Sequence, residues 1–177
     1  MRRHLHRPLR YSLVFISLVA HFAIAETAPD FRADKLGGGK FRLREALGDK
    51  ILLLHFWDTC CPGCREALPA VQKMADEFKD SIQVIGVCTD SPKTQSKIKP
   101  FLRTNGYSFQ VLLDPNLEIR KLFGGTESPL SLLISPAGEI LLRRVGAAPD
   151  EEEILRKEIT SQLHRPLISP PEEPESH

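Results

Sequence analysis

ILLLHFW at Ile51–Trp57, followed by CPGC at Cys61–Cys64, is the stretch of sequence that decides the fold. The nearly continuous apolar run over Ile51–Phe56 predicts a central strand that is covered on both faces. A helical pattern follows over Glu66–Phe78, and Pro62 suits the first position of a helix, because the N–H that it lacks would have no intrahelical acceptor there. The two thiols are therefore expected at a strand-to-helix junction.

Two thiols three positions apart at such a junction suit thiol–disulfide exchange. The first sulfur would lie where backbone N–H groups and the helix dipole favour a thiolate. The second would lie within one helical turn, where it can attack a mixed disulfide formed by the first. The alternatives are a structural disulfide and half of a zinc site, which would need further ligands such as Cys60, Cys88 or His55. We expect exchange chemistry and no cofactor.

The amino-terminal pattern is typical of a targeting segment. Four arginines precede residue 11, and the apolar run Leu13–Ala25 ends in the A-x-A signal Ala23-Ile24-Ala25. This pattern predicts a cleaved secretory signal over residues 1–25, with an uncleaved membrane anchor as the alternative. Residues 26–177 carry 20 basic and 23 acidic side chains, which does not suggest a nucleic-acid surface. Export would place the cysteines in an extracytoplasmic compartment such as the periplasm, where disulfides persist.

The remaining pattern alternates strands and helices, so we expect one α/β domain over residues 26–164 with a mixed sheet flanked by helices. Residues 165–177 are too polar and proline-rich to pack, and are predicted to be disordered. The predicted elements are an N-terminal hairpin within Phe31–Leu43, a strand at Ile82–Cys88, a helix from Ser91 to Thr104 interrupted near Pro100, a strand at Gln110–Leu113, a short helix at Asn116–Phe123, a hairpin of Leu130–Ser135 with Glu139–Val145, and a helix at Glu151–Leu163 capped by Asp150.

With these features in place, the chain resembles the thioredoxin-fold, exported thiol–disulfide oxidoreductases of the TlpA/ResA/CcmG type. The similarity covers roughly residues 28 to 163. The segments that carry it are Ala28–Phe31, Phe56–Arg65, Leu68-Pro69, Leu113–Pro115 and Ser128–Ile134. The resemblance implies a thioredoxin-like sandwich.

The resemblance also implies roles for particular residues. Cys61 would be the nucleophile and Cys64 the resolving thiol. Pro129 would be a cis-proline facing the pair, exposing the backbone of Ser128 so that an extended substrate peptide can pair with it. Trp57 is expected with these two residues on the substrate side. The alternative for Pro129 is an ordinary trans proline in a turn.

This chain departs from the family at three positions. Cys60 replaces the usual tryptophan, so three neighbouring sulfurs leave open which pair forms the disulfide. Ala67 replaces a frequent glutamate. His55 stands where thioredoxins bury an acid beneath the resolving thiol; it would either carry a proton to or from Cys64 or only pack. Cys88 is expected to be a buried small hydrophobe.

The function expected from the resemblance is disulfide reduction of protein thiols, as in apocytochrome c or copper-site maturation. A membrane-embedded thiol donor would supply electrons to a monomeric protein that binds no nucleic acid. One alternative is a peroxiredoxin-like peroxidase, although Asp58 stands where such a protein has a threonine, three positions before its cysteine. Another is a copper or zinc binder using Cys60, Cys61, Cys64 and His55. We expect Asp58 and Arg65 to be surface charges that frame the site.

Overall fold

The computed structural model describes residues 26–164, so the predicted signal over residues 1–25 and the tail from residue 165 lie outside the described part. The strands are β1 (Arg32–Lys35), β2 (Lys40–Arg42), β3 (Ile51–Trp57), β4 (Ile82–Cys88), β5 (Gln110–Leu113), β6 (Leu130–Ile134) and β7 (Ile140–Val145). The α-helices are α1 (Leu43–Ala46), α2 (Pro62–Glu77), α3 (Ile98–Asn105), α4 (Glu118–Leu122) and α5 (Glu151–Leu163). Within residues 26–164, no helix combines the length and apolarity that crossing a bilayer requires.

The strands form one seven-stranded mixed sheet in the order β2-β1-β5-β4-β3-β6-β7. Strands β3, β4 and β5 run parallel, while β6 and β7 continue the sheet in antiparallel fashion beyond β3. The predicted N-terminal hairpin is β1–β2, and β1 adds it to the opposite edge beside β5. The thioredoxin-like α/β sandwich expected from the sequence is therefore confirmed.

All seven residues of β3 are buried, which confirms the central strand read from its apolar run. Alternate side chains of a strand point to opposite faces. Leu52, Leu54 and Phe56 join a core layer with residues of α1 and α4. Leu53 and Trp57 join the other layer, which α2, α3 and α5 cover. Since His55 shares the parity of Leu53 and Trp57, it faces the layer that contains Cys64.

The helix after β4 differs from its prediction. A turn and a 3₁₀ segment at Gln95–Lys97 replace the first part, and α3 begins only at Ile98. Pro100 therefore falls in the first turn of α3, where a missing N–H has little cost, rather than interrupting a longer helix. The helix ends as expected, at Asn105, with Gly106 in the left-handed conformation at φ 71°.

Gly86 in β4 lies against the aromatic core. A β-carbon there would come within 2.7 Å of Phe109 Cε2 and 2.8 Å of Trp57 Nε1. The backbone pairs Gly86 with His55 on one side and Val111 on the other, so the strand cannot move away without breaking the sheet.

Gly86→Ala is therefore expected to lower the free energy of unfolding by about 1–3 kcal/mol through overpacking. Gly37→Ala is the matched control, because nothing lies within 4 Å of a β-carbon at that turn position. Urea unfolding of both variants provides the measurement. Equal stabilities of the two variants would contradict this account of the core.

Candidate active site

Cys61 occupies the N-cap of α2, immediately before Pro62, as predicted. The backbone N–H of Cys64 donates to the Cys61 sulfur at 3.1 Å. The first N–H groups of a helix have no intrahelical acceptor, so a negative sulfur at the N-cap supplies one. The start of α2 thus provides a binding site for a Cys61 thiolate.

Cys64 lies one turn into α2 and is completely buried, whereas Cys61 is half-buried. Burial raises the pKa of the Cys64 thiol well above its usual range, and the hydrogen bond to Cys61 adds to the increase. The two cysteines therefore lie in unequal environments, the first at the helix start that the sequence predicted and the second one turn inside the helix. One sulfur is accessible and accepts a backbone N–H, and the other is kept protonated inside the fold.

The loop that carries the cysteines is held by hydrogen bonds on both sides. Asp58 Oδ1 accepts from the backbone N–H groups of Cys60 at 2.9 Å and Cys61 at 2.8 Å. Arg65 donates through Nε and Nη2 to the carbonyl of Thr59. These two charges, predicted to frame the site at the surface, fix the backbone of the loop.

Asp90 is a part of the site that the sequence analysis missed. It follows β4 and accepts from Thr59 twice, from the backbone N–H at 2.9 Å and from Oγ1 at 2.8 Å. Burial alone would raise the pKa of Asp90, but the hydrogen bonds that it accepts, first that of the Thr59 amide, lower the pKa overall. The sequence did offer a signal: Thr59 and Asp90 are polar residues that each follow the carboxyl end of a buried strand, β3 and β4.

Cys88 is buried, as expected, but it also makes a polar contact. Its sulfur donates to Asp90 Oδ2 at 3.1 Å, and burial raises the pKa of its thiol. Cys88 therefore supports the same carboxylate that anchors the active-site loop, in addition to filling space.

The segment before β6 reaches the accessible sulfur. The Ser128–Pro129 peptide bond is cis, as predicted, and the Ser128 carbonyl oxygen lies 3.7 Å from Cys61 Sγ. Arg120, which the sequence did not single out, donates from Nη1 to Ser128 Oγ at 3.0 Å. Ala147 packs against Gly63, between the two cysteines. A β-carbon at Gly63 would lie 3.2 Å from the Cβ of Ala147.

Trp57 does not lie on this accessible side. Its side chain is completely buried, and its ring stacks on Phe101 with 5.5 Å between the centroids. A ring without exposed surface has no face to offer a docking peptide, so Trp57 does not make the substrate contact expected for it.

His55 is completely buried on the α2 side of the sheet. Its Nδ1 lies 2.9 Å from Ser131 Oγ, and its Nε2 has no hydrogen-bond partner among the described residues 26–164. Burial lowers the pKa of His55 from 6.5 to about 4, because a charged imidazolium would lose its hydration. The ring is therefore neutral at pH 7.

The cysteines do not form the four-ligand set considered from the sequence. In the described chain, the group of potential ligand atoms within 4.8 Å of one another at this site consists of Asp58, Cys61 and Cys64. Neither Cys60 nor His55 belongs to this group, and one carboxylate oxygen of Asp58 already accepts two backbone N–H groups. A closed tetrahedral zinc site requires a fourth ligand.

The depressed pKa of His55 predicts a dependence of stability on pH. Between about pH 6.5 and pH 4 the unfolded chain binds a proton at His55 that the folded chain does not, so stability falls as the pH is lowered through this window. The full loss is about 3 kcal/mol. Urea unfolding of the reduced protein from pH 7 to pH 4 measures it.

His55→Asn removes the titrating group. The free energy of unfolding of this variant should therefore depend less on pH than that of the wild type. His164→Asn makes the same replacement at a histidine exposed at the end of α5 and serves as the control for exchanging an imidazole for an amide. Parallel pH dependences for the wild type and His55→Asn would show that His55 does not titrate in this way.

Comparison with known proteins agrees with this geometry. Residues 24–143 match the AhpC/TSA family. The thioredoxin-like protein YneN of Bacillus subtilis is 31% identical over 128 residues, covering 72% of this chain and 74% of that one. The thiol-disulfide oxidoreductase ResA of Halalkalibacterium halodurans is 30% identical over 127 residues, covering 71% and 70%. A solved structure from Chlorobium tepidum, assigned as the thiol:disulfide interchange protein DsbE, superposes with a TM-score of 0.72 at 30% identity, covering 78% of this chain and 96% of the other. The chain belongs to the AhpC/TSA family and has the thioredoxin-like fold of its thiol–disulfide oxidoreductase relatives.

Proposed function

We propose that this protein is an exported disulfide reductase that acts on protein substrates through Cys61 and Cys64. Its relatives are named as thiol–disulfide oxidoreductases and thiol:disulfide interchange proteins, and reduction of protein disulfides is the direction that we propose for this activity. The observation that supports a role for these two cysteines is their asymmetry: Cys61 accepts an N–H bond at the helix start, and Cys64 is buried behind it.

The chemistry follows from this asymmetry. The Cys61 thiolate attacks one sulfur of a substrate disulfide, and the other substrate sulfur leaves with the electron pair. Cys64 then attacks Cys61 Sγ and forms the Cys61–Cys64 disulfide. The second substrate sulfur leaves as a thiolate with its electron pair, and the Cys64 proton ends on this thiolate or in solvent. The substrate gains two electrons, and the protein dithiol loses them.

The docking site that we propose lies at Ser128 and Pro129. The Ser128 carbonyl oxygen lies 3.7 Å from the attacking sulfur, so a peptide strand that pairs with this backbone would bring its own cysteine to Cys61. The bond from Arg120 to Ser128 Oγ holds this segment in place.

The basic, apolar amino-terminal pattern supports export, either as a cleaved signal or as a membrane tether. In an oxidising compartment the dithiol would need a membrane-embedded thiol donor to return it to the reduced state. We propose a monomer that acts on cysteine pairs such as those of apocytochrome c or a copper site. A reduction potential of the Cys61/Cys64 pair below that of the compartment would support a reductase, and a higher one an oxidase.

A peroxidase is the less favoured alternative. Three positions before Cys61 the chain has Asp58, and its carboxylate accepts the Cys61 N–H at 2.8 Å. This negative group stands where a peroxiredoxin-like site is expected to have a threonine hydroxyl. Consumption of hydrogen peroxide with a thiol donor tests this function directly.

Cys64→Ser should trap the intermediate. Without the resolving sulfur, reaction with a peptide that contains a disulfide is expected to stop at a mixed disulfide on Cys61, which mass spectrometry of proteolytic fragments locates. Cys61→Ser is the control and should give no adduct, because burial keeps Cys64 protonated and inaccessible. An adduct on Cys64 in that control would reverse the assigned roles.

Cys60→Ser should leave the turnover of disulfide reduction intact. Cys60 is exposed and precedes the N-cap of α2, so its sulfur does not receive the Cys64 N–H bond that stabilises Cys61. An insulin reduction assay of Cys60→Ser beside Cys61→Ser compares the two positions. Loss of turnover in Cys60→Ser with activity retained in Cys61→Ser would identify Cys60 as the nucleophile.

A further inference from the structure

Two thiols and a carboxylate converge where β3 leads into α2. One potential ligand atom from each of Asp58, Cys61 and Cys64 lies within 4.8 Å of the other two. Asp58 directly follows β3, Cys61 is the N-cap of α2, and Cys64 lies one turn inside that helix. The exchange chemistry uses the two sulfurs, and so far the Asp58 carboxylate has only a structural role in the loop.

The Asp58 carboxylate is fixed through one of its two oxygens. Within residues 26–164, the hydrogen bonds that it accepts come from the backbone N–H groups of Cys60 and Cys61, and both go to Oδ1. Asp58 is half-buried, so its side chain is held in place without being sealed inside the fold. Oδ2 is therefore the oxygen that remains for a ligand from outside.

Glu151 shows how a fully buried carboxylate of this chain differs. It is 4% exposed and uses both oxygens inside the fold. Ser131 Oγ donates to Glu151 Oε1 at 3.1 Å, and Arg144 Nε donates to Oε2 at 3.2 Å. A buried carboxylate needs such partners because burial removes its hydration. Asp58 combines a fixed position with a free oxygen, which is the combination that a metal ligand requires.

The spacing of the three ligand atoms suits a tetrahedral metal ion. Zn²⁺ binds thiolate sulfur at about 2.3 Å and carboxylate oxygen at about 2.0–2.2 Å, so two such ligands on one tetrahedral ion lie about 3.6–3.8 Å apart. The atoms here are at most 4.8 Å apart, so a closure of about 1 Å would bring them to a common ion. Cys61 is only half-buried, which leaves its side chain room to turn.

The combination of two sulfurs and one oxygen selects the kind of metal. Mg²⁺ and Ca²⁺ take oxygen ligands, so two thiolates disfavour them. Cu(I) prefers soft thiolate and thioether ligands, so a carboxylate in the set disfavours it. Zn²⁺ accepts cysteine sulfur and carboxylate oxygen together.

We propose that Asp58, Cys61 and Cys64 of the reduced protein form an open three-ligand site for Zn²⁺, and that the bound ion withholds the dithiol from disulfide exchange. Three protein ligands leave the fourth tetrahedral position to water, as in zinc sites that exchange ligands with solvent. The binding itself does not require the proposed reductase activity. Its consequence for turnover rests on that activity.

No electron is transferred in this step. As each Zn–S bond forms, a protonated thiol gives its proton to the buffer, and the Asp58 carboxylate replaces a water on the ion. The ion then occupies the electron pair with which Cys61 would attack a substrate disulfide. The Cys61–Cys64 disulfide has no thiolate to offer, so Zn²⁺ binds the reduced protein and stabilises it relative to the oxidised protein.

Competition with a chromophoric chelator measures the Zn²⁺ affinity of the full chain. The parent protein carries Cys60→Ser, because the exposed Cys60 would otherwise offer another sulfur. We expect the reduced parent to bind a single Zn²⁺ ion as tightly as the reduced wild type, and the oxidised parent not to compete with the chelator. Loss of binding in the parent would assign a ligand to Cys60, and equal binding by the oxidised parent would exclude the dithiol; either result overturns the proposal.

Asp58→Asn in this parent keeps a side-chain oxygen for the two loop N–H groups and removes the charged ligand. We expect the Zn²⁺ affinity to fall at least about tenfold, since loss of even a hydrogen-bond partner of a metal ligand has an effect of that size. Glu66→Gln makes the same acid-to-amide change at an exposed position of α2 and is the matched control. Urea unfolding checks that both variants are folded. Equal affinities of the two variants would remove Asp58 from the site.

Alkylation of Cys61 by iodoacetamide tests the second part of the proposal without any substrate disulfide. Zn²⁺ should slow this alkylation in the reduced parent, EDTA should restore its rate, and Asp58→Asn should need at least about tenfold more Zn²⁺ for the same protection. An alkylation rate that saturating Zn²⁺ leaves unchanged would overturn the proposal. Absence of insulin reduction by the metal-free wild type would instead refute the proposed reductase function and leave the metal site standing.

Discussion

The complete burial of β3 is the constraint on which the rest of this structure depends. The strand is paired on both edges and covered on both faces, so each of its side chains must either pack or find an internal partner. Its apolar residues pack into the two core layers. Its one polar residue, His55, finds Ser131 directly across the sheet. The carboxyl end of the same strand leads into the loop and helix that carry the two cysteines.

The site combines two opposite electrostatic environments within one helical turn. At Cys61, a backbone N–H at the start of α2 favours negative charge on sulfur. At Cys64, desolvation opposes that charge. The surrounding loop adds rigidity, since Asp58, Arg65 and Asp90 satisfy its backbone from three directions. Small changes in geometry would alter both environments together, because the same turn of helix creates them.

Much of this arrangement could be read from the sequence because it depends on local patterns. The apolar run of β3 and the CPGC turn are recognised from adjacent residues, whereas the cis Ser128–Pro129 bond was implied by the family resemblance. The structure places all three as expected. Asp90, Arg120 and Glu151 could not be recognised in this way, because their partners are distant in sequence. Glu151 illustrates the difficulty: in the sequence it is one of three consecutive acids, and only the register of β6 with β7 and the position of α5 identify it as the buried one. Trp57 shows the converse, since proximity to the cysteines in sequence does not place its ring at the surface.

Arg120 links the peptide segment beside Cys61 to a part of the fold that carries none of the redox groups. Its side chain holds Ser128 Oγ, while its backbone N–H donates to Asp114, at the end of β5. The surface that would recognise a substrate is thus supported from α4, and the dithiol is supported from α2 and β4. The two supports are joined by a backbone hydrogen bond, from the Asp114 N–H to the Cys88 carbonyl at 2.9 Å, so side-chain substitutions around α4 can alter the binding surface and leave this link in place. A fold arranged in this way can supply one reaction to many different clients.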